Sequence, residues 1–159
     1  MRPWPVVFKE RAGTYYQSAP RFRSLFSPEE YQSLVAPASP IILLVVHDKR
    51  LRRLVHDVLE FAGWCVKDSD AIYARSLLEC REHFDLLIID NDSCDSGLEL
   101  IKLVRRLPQR RQTPIILISL EDLTQEAREA GADAFLRKPK CLFALAHAIR
   151  RLLTASFDA

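Results

Sequence analysis

The sequence predicts a doubly wound α/β domain on a five-stranded parallel sheet, beginning near residue 40. Three observations carry this: short apolar runs that do not alternate, amphipathic helical patterns between them, and a polar residue closing most of the runs. Continuous apolar strands are those buried on both faces, and parallel strands need crossover helices to cover those faces.

The first run, residues 41–46, follows Pro40 and reads as a strand. Leu51, Leu54, Val55, Val58 and Leu59 then recur at helical spacing, opposite Lys49, Arg50, Arg52 and Arg53, and Gly63 ends the helix. Residues 64–67 form a short second strand, and Ala71, Ile72, Leu77 and Leu78 mark a second helix. Residues 86–89 are the third strand. Leu98, Ile101, Val104 and Leu107 follow as a helix closed by Pro108, and residues 115–118 after Pro114 are the fourth strand. A brief helix over 123–130 leads through Gly131 to a fifth strand at 134–137. Leu142, Leu145, Ala146, Ile149, Leu152 and Leu153 give the last helix. Arg105, Arg106, Arg110 and Arg111 read as a solvated helix end.

At 159 residues and 48% hydrophobic content the chain suits one domain with a small appendage. Its net charge of +2 is too small to imply nucleic acid or an anionic membrane, and the excess lies in residues 1–40, which hold five Lys/Arg against three Asp/Glu. Cys65, Cys80, Cys94 and Cys141 show no paired spacing and read as small buried thiols in a reducing compartment. No apolar run approaches the ~18 residues of a membrane span, and no signal-peptide core is evident, so a cytoplasmic location is expected and no membrane partner.

Residues 1–39 form an extension, 40–154 the α/β domain and 155–159 a tail. The extension holds Trp4, Phe8, Tyr15, Tyr16, Phe22, Phe26 and Tyr31, half of the chain's fourteen aromatics. Disordered tails are poor in aromatics, so the segment is expected to pack, either on its own domain or on a partner or second copy. Ser27-Pro28-Glu29-Glu30 reads as a helix start, giving a short helix over about 28–35. Five basic residues interleave with these aromatics, but no nucleic-acid recognition module is present, and nucleic acid is not the expected partner.

Open parallel sheets bind ligands beyond the carboxyl ends of their strands. There the sequence places His47-Asp48 after the first strand, Asp90 after the third, Ser119 after the fourth and Lys138-Pro139 after the fifth. Carboxylates can hold a divalent cation, a hydroxyl can bind a phosphoryl oxygen, and a lysine can neutralise a carboxylate and then a phosphate.

On Asp48, Asp90, Ser119 and Lys138, with Gly97-Leu98-Glu99-Leu100 and Ala130-Gly131-Ala132-Asp133-Ala134-Phe135, the chain resembles the receiver domains of bacterial two-component response regulators. The resemblance covers about 115 residues and implies a flavodoxin-like (βα)5 fold. It implies that Asp90 is the phosphoacceptor, and that Mg²⁺, or Mn²⁺, is held by Asp48, Asp90 and the backbone carbonyl of Asp92. It further implies that Lys138 and Ser119 bind the phosphoryl group, that Phe135 is an aromatic switch, and that the Lys138–Pro139 bond is cis. The implied partners are a histidine kinase or phosphotransfer protein and a downstream protein, with a homodimer through the extension or the last helix as a further assembly. The chain would not be an enzyme beyond self-catalysed phosphoryl transfer to and from Asp90.

Three departures from the family pattern stand out. His47 occupies a position usually acidic, which weakens or removes the magnesium site. The Asp90–Gly97 stretch lacks the family's Met-Pro pair and is about one residue short, and the fourth helix is clipped by about three residues. A phosphorylation-independent pseudo-receiver, acting as an interaction or scaffold domain, is therefore the alternative function. A calcium loop starting at Asp90 is ruled out, because Asp95 stands where its glycine belongs and Ile101 where its glutamate belongs. A haloacid-dehalogenase-type phosphatase needs a further acidic metal ligand after the lysine, and nothing acidic follows Lys138 until Asp158.

Overall fold

The structure is a computed structural model that describes residues 39–80, 82–91, 96–139 and 141–155. The extension with its expected helix over 28–35, the loop carrying Asp92 and Cys94, and residues 156–159 of the tail lie outside the described residues, while Ala155 closes the last helix.

Ten elements alternate along the chain: β1 (Ile41–Val45), α1 (Lys49–Phe61), β2 (Cys65–Ser69), α2 (Ala71–Glu79), β3 (Leu86–Asp90), α3 (Ser96–Arg106), β4 (Ile115–Ser119), α4 (Thr124–Ala130), β5 (Ala134–Arg137) and α5 (Cys141–Ala155). The five strands form one parallel sheet in the order β2-β1-β3-β4-β5. The order reverses at β1, so the crossovers cover opposite faces. Ile42, Leu44, Ile88, Ile116 and Ile118 pack with Val55 and Leu59 of α1 and with Leu145 and Ile149 of α5. The alternate strand residues, Leu43, Leu87, Ile89 and Leu117, pack with Leu78 of α2, Ile101 and Val104 of α3 and Ala127 of α4. Both side-chain sets of the inner strands are thus core, which is why those strands read as unbroken apolar runs.

The helix starts follow local chemistry. Asp48 and Asp70 each accept a hydrogen bond from the amide three residues on, Leu51 at 2.7 Å and Tyr73 at 2.8 Å, capping α1 and α2. Gly131 ends α4 in the left-handed conformation, φ 101°, and a Cβ there would lie 2.9 Å from Cγ of Arg105. The fourth helix is seven residues long and buries only Ala127 and Ala130.

Several expectations are corrected. Strand β2 begins one residue later than 64 and extends to Ser69. Ile72 is 87% exposed, because Ala74, Leu77 and Leu78 define the buried stripe of α2 and Ile72 lies off it. Leu54 is half exposed and Phe61, at the end of α1, almost wholly so. Cys80 is exposed, whereas Cys141 is buried. Of the four arginines at and after the end of α3, Arg106 and Arg111 are solvated as expected, but Arg105 and Arg110 are not. Arg110 is 3% exposed and donates to the carbonyls of Leu78 at 3.3 Å, Cys80 at 3.0 Å and Glu82, with its guanidinium over the Phe84 ring. Burial pushes its pKa down, countered by the nearby Glu82. Arg105 donates to the carbonyls of Gly131, Arg111 and Thr113 and to the Asp133 carboxylate at 2.7 Å. The same Asp133 oxygen accepts from Ile115 N at 2.7 Å, so these contacts fasten the start of β4 to the α4–β5 turn.

Arg110→Ala should cost about 2–4 kcal/mol, since it strands buried carbonyls at a loss of roughly 1–3 kcal/mol each before relaxation. Arg110→Lys should recover only part of this, lacking the planar fork. Urea unfolding of the three proteins checks both. A second outcome concerns His56, whose Nδ1 lies 2.9 Å from Asp68 and Nε2 3.3 Å from Glu60. Its pKa is raised from the ordinary 6.5, chiefly by the hydrogen bond to Asp68. A raised folded-state pKa means the contribution is full below about 6.5 and is lost as pH rises through the folded value. His56→Gln should therefore lower the melting temperature more at pH 5.5 than at pH 8. Equal losses at the two pH values would contradict the coupling.

Candidate functional site

Strand β3 lies at the centre of the sheet, between β1 and β4, and ends in Asp90. The strand ladder continues past it, with Asn91 N donating to Ile118 O at 3.0 Å. The Asp90 side chain is 2% exposed and that of Lys138 7%, and Lys138 Nζ donates to Asp90 Oδ1 at 2.7 Å. Lys138 is brought there by the backbone: its amide donates to Ser119 O at 2.8 Å, extending β5 along β4, and the Lys138–Pro139 bond is cis. A buried carboxylate keeps its charge only beside such a partner.

Ser119 stands one position beyond Ile118, the register partner of Asp90, and is 2% exposed. Its Oγ accepts from Glu121 N at 3.2 Å, leaving the hydroxyl proton for another acceptor. Phe135 is in register with Leu117 and packs, partly buried, on the α2–α3–α4 side. His47 and Asp48 follow β1 and are both exposed. Asp48 caps α1 with one oxygen. The structure thus joins Asp90 to Lys138 directly, sets Ser119 on the adjoining strand end, and leaves His47 and Asp48 at the solvent edge. Asp92 lies outside the described residues.

Asn91 was not singled out in the sequence. It is 7% exposed, and its Oδ1 accepts from Leu98 N at 3.0 Å, satisfying one of the open amides of α3 from the end of β3. A Cβ on Gly97 would lie 2.8 Å from that oxygen and 2.9 Å from Asp90 O, so only glycine lets α3 approach this closely. An amide side chain directly after a strand-end acid, followed by a glycine opening a helix, was the available signal.

Among the described residues no three His, Cys, Asp or Glu side chains converge as a metal site. The donors at this edge are the Asp48 and Asp90 carboxylates. Such a set fits Mg²⁺ held through one or two carboxylates and its own waters. Burial pushes the Cys141 thiol up, which favours its protonated form. Among the described residues no helix is long and apolar enough to cross a membrane.

No protein-family model matches the sequence. A curated relative, the cyclic di-GMP phosphodiesterase response regulator RpfG of Xanthomonas campestris, is 46% identical over 59 residues, 35% of this chain and only 16% of that protein. Solved structures match over most of their own length. The chemotaxis protein CheY4 of Vibrio cholerae aligns at TM-score 0.66 and 28% identity, covering 72% of this chain and 99% of that one. A CheY-like receiver domain from Methanospirillum hungatei aligns at TM-score 0.68 and 26% identity, covering 76% and 98%. The receiver domain of the sensor histidine kinase PA1611 from Pseudomonas aeruginosa, described with magnesium coordinated in its active-site cleft, aligns at 0.64 and 26%, covering 74% and 99%. The strand order, the strand-end pair Asp90–Lys138 and these alignments agree: the chain carries a CheY-like receiver domain.

Proposed function

We propose that this receiver accepts a phosphoryl group on Asp90 from a histidine kinase or phosphotransfer protein and switches a surface read by a downstream protein. The observation that carries this is the buried Asp90 carboxylate at the end of the central strand, 2.7 Å from Lys138. In the transfer, an Asp90 oxygen attacks the donor phosphorus, the donor P–N bond breaks with its electron pair leaving on the imidazole, and an acyl phosphate forms. Lys138 then moves its charge-assisted hydrogen bond from carboxylate to phosphoryl oxygen. Ser119 donates its hydroxyl to a second phosphoryl oxygen, and Phe135 on the adjoining strand repacks in response. Asp48, Asp90 and the backbone carbonyl of Asp92 would hold a divalent cation, which would supply charge neutralisation for the incoming phosphoryl group. Attack by water on the same phosphorus returns Asp90, so the chemistry is self-limiting and the domain is not otherwise an enzyme.

One observation favours the pseudo-receiver as the second reading. The solvent-edge carboxylate Asp48 is engaged as a helix cap, and beside it stands the imidazole of His47 instead of a second acid. Magnesium would then bind weakly, and the domain would act through contacts alone. In either case residues 1–39 are assigned to a separate extension, 40–154 to the receiver and 155–159 to a tail. A homodimer through the extension or α5 is compatible with both, and a cytoplasmic setting follows from a kinase donor.

Incubation with acetyl phosphate and Mg²⁺ or Mn²⁺ should add one phosphoryl mass to the intact chain, and Asp90→Asn should abolish it. An unchanged mass would leave the pseudo-receiver. His47→Asp should strengthen Mg²⁺ binding by about tenfold, corresponding to ~1.4 kcal/mol from a restored hard ligand, and should speed the phosphorylation. Titration calorimetry with Mg²⁺ on both proteins measures the first effect.

A further inference from the structure

The geometry points to the groove between α2 and α3 as a docking site for an acidic amphipathic helix of a partner protein, and to α3 as the element that couples it to Asp90. The groove is open, with a volume of about 460 Å³. Ile72 and Leu103 form its apolar part above the buried Leu100, and Arg75, Lys102 and Arg106 form its basic rim. Counting lining side chains, these three cations face one carboxylate, Glu99.

Charge and shape select the occupant. Ile72 is 87% exposed on a helix whose other branched apolar residues are core, so the patch gains by burial against apolar atoms, roughly 1.5–3 kcal/mol for a fully covered side chain. Arg75 is paired with Glu79 at 3.4 Å and Lys102 with Glu99 at 2.8 Å, while among the described residues Arg106 has no carboxylate at salt-bridge distance. Exposed pairs of this kind are worth about 0–1 kcal/mol and are readily exchanged for an incoming acid. Two copies of this chain placed groove to groove would oppose like charges, which argues against a symmetric dimer here. Nucleic acid would satisfy the cations but leave Ile72 and Leu103 poorly covered. An amphipathic helix with apolar residues at i, i+3, i+4 and acids beside them meets both requirements.

The link to Asp90 rests on the phosphorylation reading above. The first turn of α3 is tied to the acceptor strand by the Asn91–Leu98 hydrogen bond at 3.0 Å and by the glycine-only approach of Gly97 to Asp90 O. Five of the groove's lining residues named here, Glu99, Leu100, Lys102, Leu103 and Arg106, belong to that same helix. A displacement of the Asp90 backbone therefore moves one wall of the groove.

The test uses the full chain and a leucine–glutamate amphipathic peptide of about 18 residues, followed by amide shifts and by fluorescence anisotropy. The peptide should shift amides of 71–75 and 98–106 in the untreated chain. Binding should weaken at least about tenfold in the double variant Lys102→Glu, Arg106→Glu, whose fold is verified by its amide dispersion, and likewise for a leucine–lysine peptide. Shifts centred elsewhere, equal binding of the lysine peptide, or equal binding of an oligothymidylate at the same amides would each overturn the docking site. For the coupling, beryllium fluoride, an acyl-phosphate mimic, should change the peptide Kd by at least about threefold, and Asn91→Ala should remove that change while leaving binding in the untreated chain. An unaltered Kd in a chain whose Asp90 does take the phosphoryl group overturns the coupling. A chain whose Asp90 takes none fails the phosphorylation reading, and the untreated-chain result then decides the groove separately.

Discussion

Burial of the sheet on both faces is the constraint from which the rest of this molecule follows. Residues 42–44, 86–89 and 115–118 are fully shielded from water, so their backbone amides and carbonyls depend on the inter-strand ladder. A shift of one register position would exchange the two face sets and break both cores together. The inner strands β1, β3 and β4 are consequently locked in parallel register, and their carboxyl ends share one edge. Asp90 emerges at the middle of that edge, flanked on one side by Ser119 and Lys138 and on the other by the residues that follow β1.

Around this rigid centre, the end of α3 and the short stretch after it do much of the fastening. Arg105 and Arg110 place seven donor contacts on the turns that begin β4, on the α4–β5 turn and on the loop before β3. Such contacts work because backbone carbonyls leaving a helix or turn have no ladder partner of their own. Helix α3 is thus held at both ends, by Asn91 at its start and by Arg105 at its finish. It can respond to β3 as a unit, whereas α4, at seven residues and two buried alanines, has little packing of its own.

The electrostatics of the site are asymmetric. On the β4–β5 side a carboxylate and an ammonium are both withdrawn from water and hold each other at 2.7 Å, an arrangement in which losing either partner is costly. On the β1 side the polar groups are exposed, one carboxylate serves a helix cap, and the neighbouring position is an imidazole. The phosphoryl contacts proposed for Lys138 and Ser119 would form on the buried side, and the exposed side offers few donors to a cation.

How far this was legible depends on the range of each interaction. The sequence by itself determined the five βα units, because alternation of unbroken apolar runs with helical stripes has one economical burial solution. It also determined that Asp48, Asp90, Ser119 and Lys138 lie at strand ends, since each follows such a run directly or within two residues. Ile72 and Leu54 looked like core because periodicity marks a stripe but does not say how wide a stripe the sheet will cover. Arg110 looked solvated because an arginine's partners are here carbonyls some thirty residues away, and carbonyls carry no sequence signature. Asn91 went unnoticed for the same reason, its partner being an amide. Tertiary structure alone decided which arginine is buried, how α3 is tied to β3, and that a groove opens between α2 and α3, because these depend on distances between segments that local patterns do not encode.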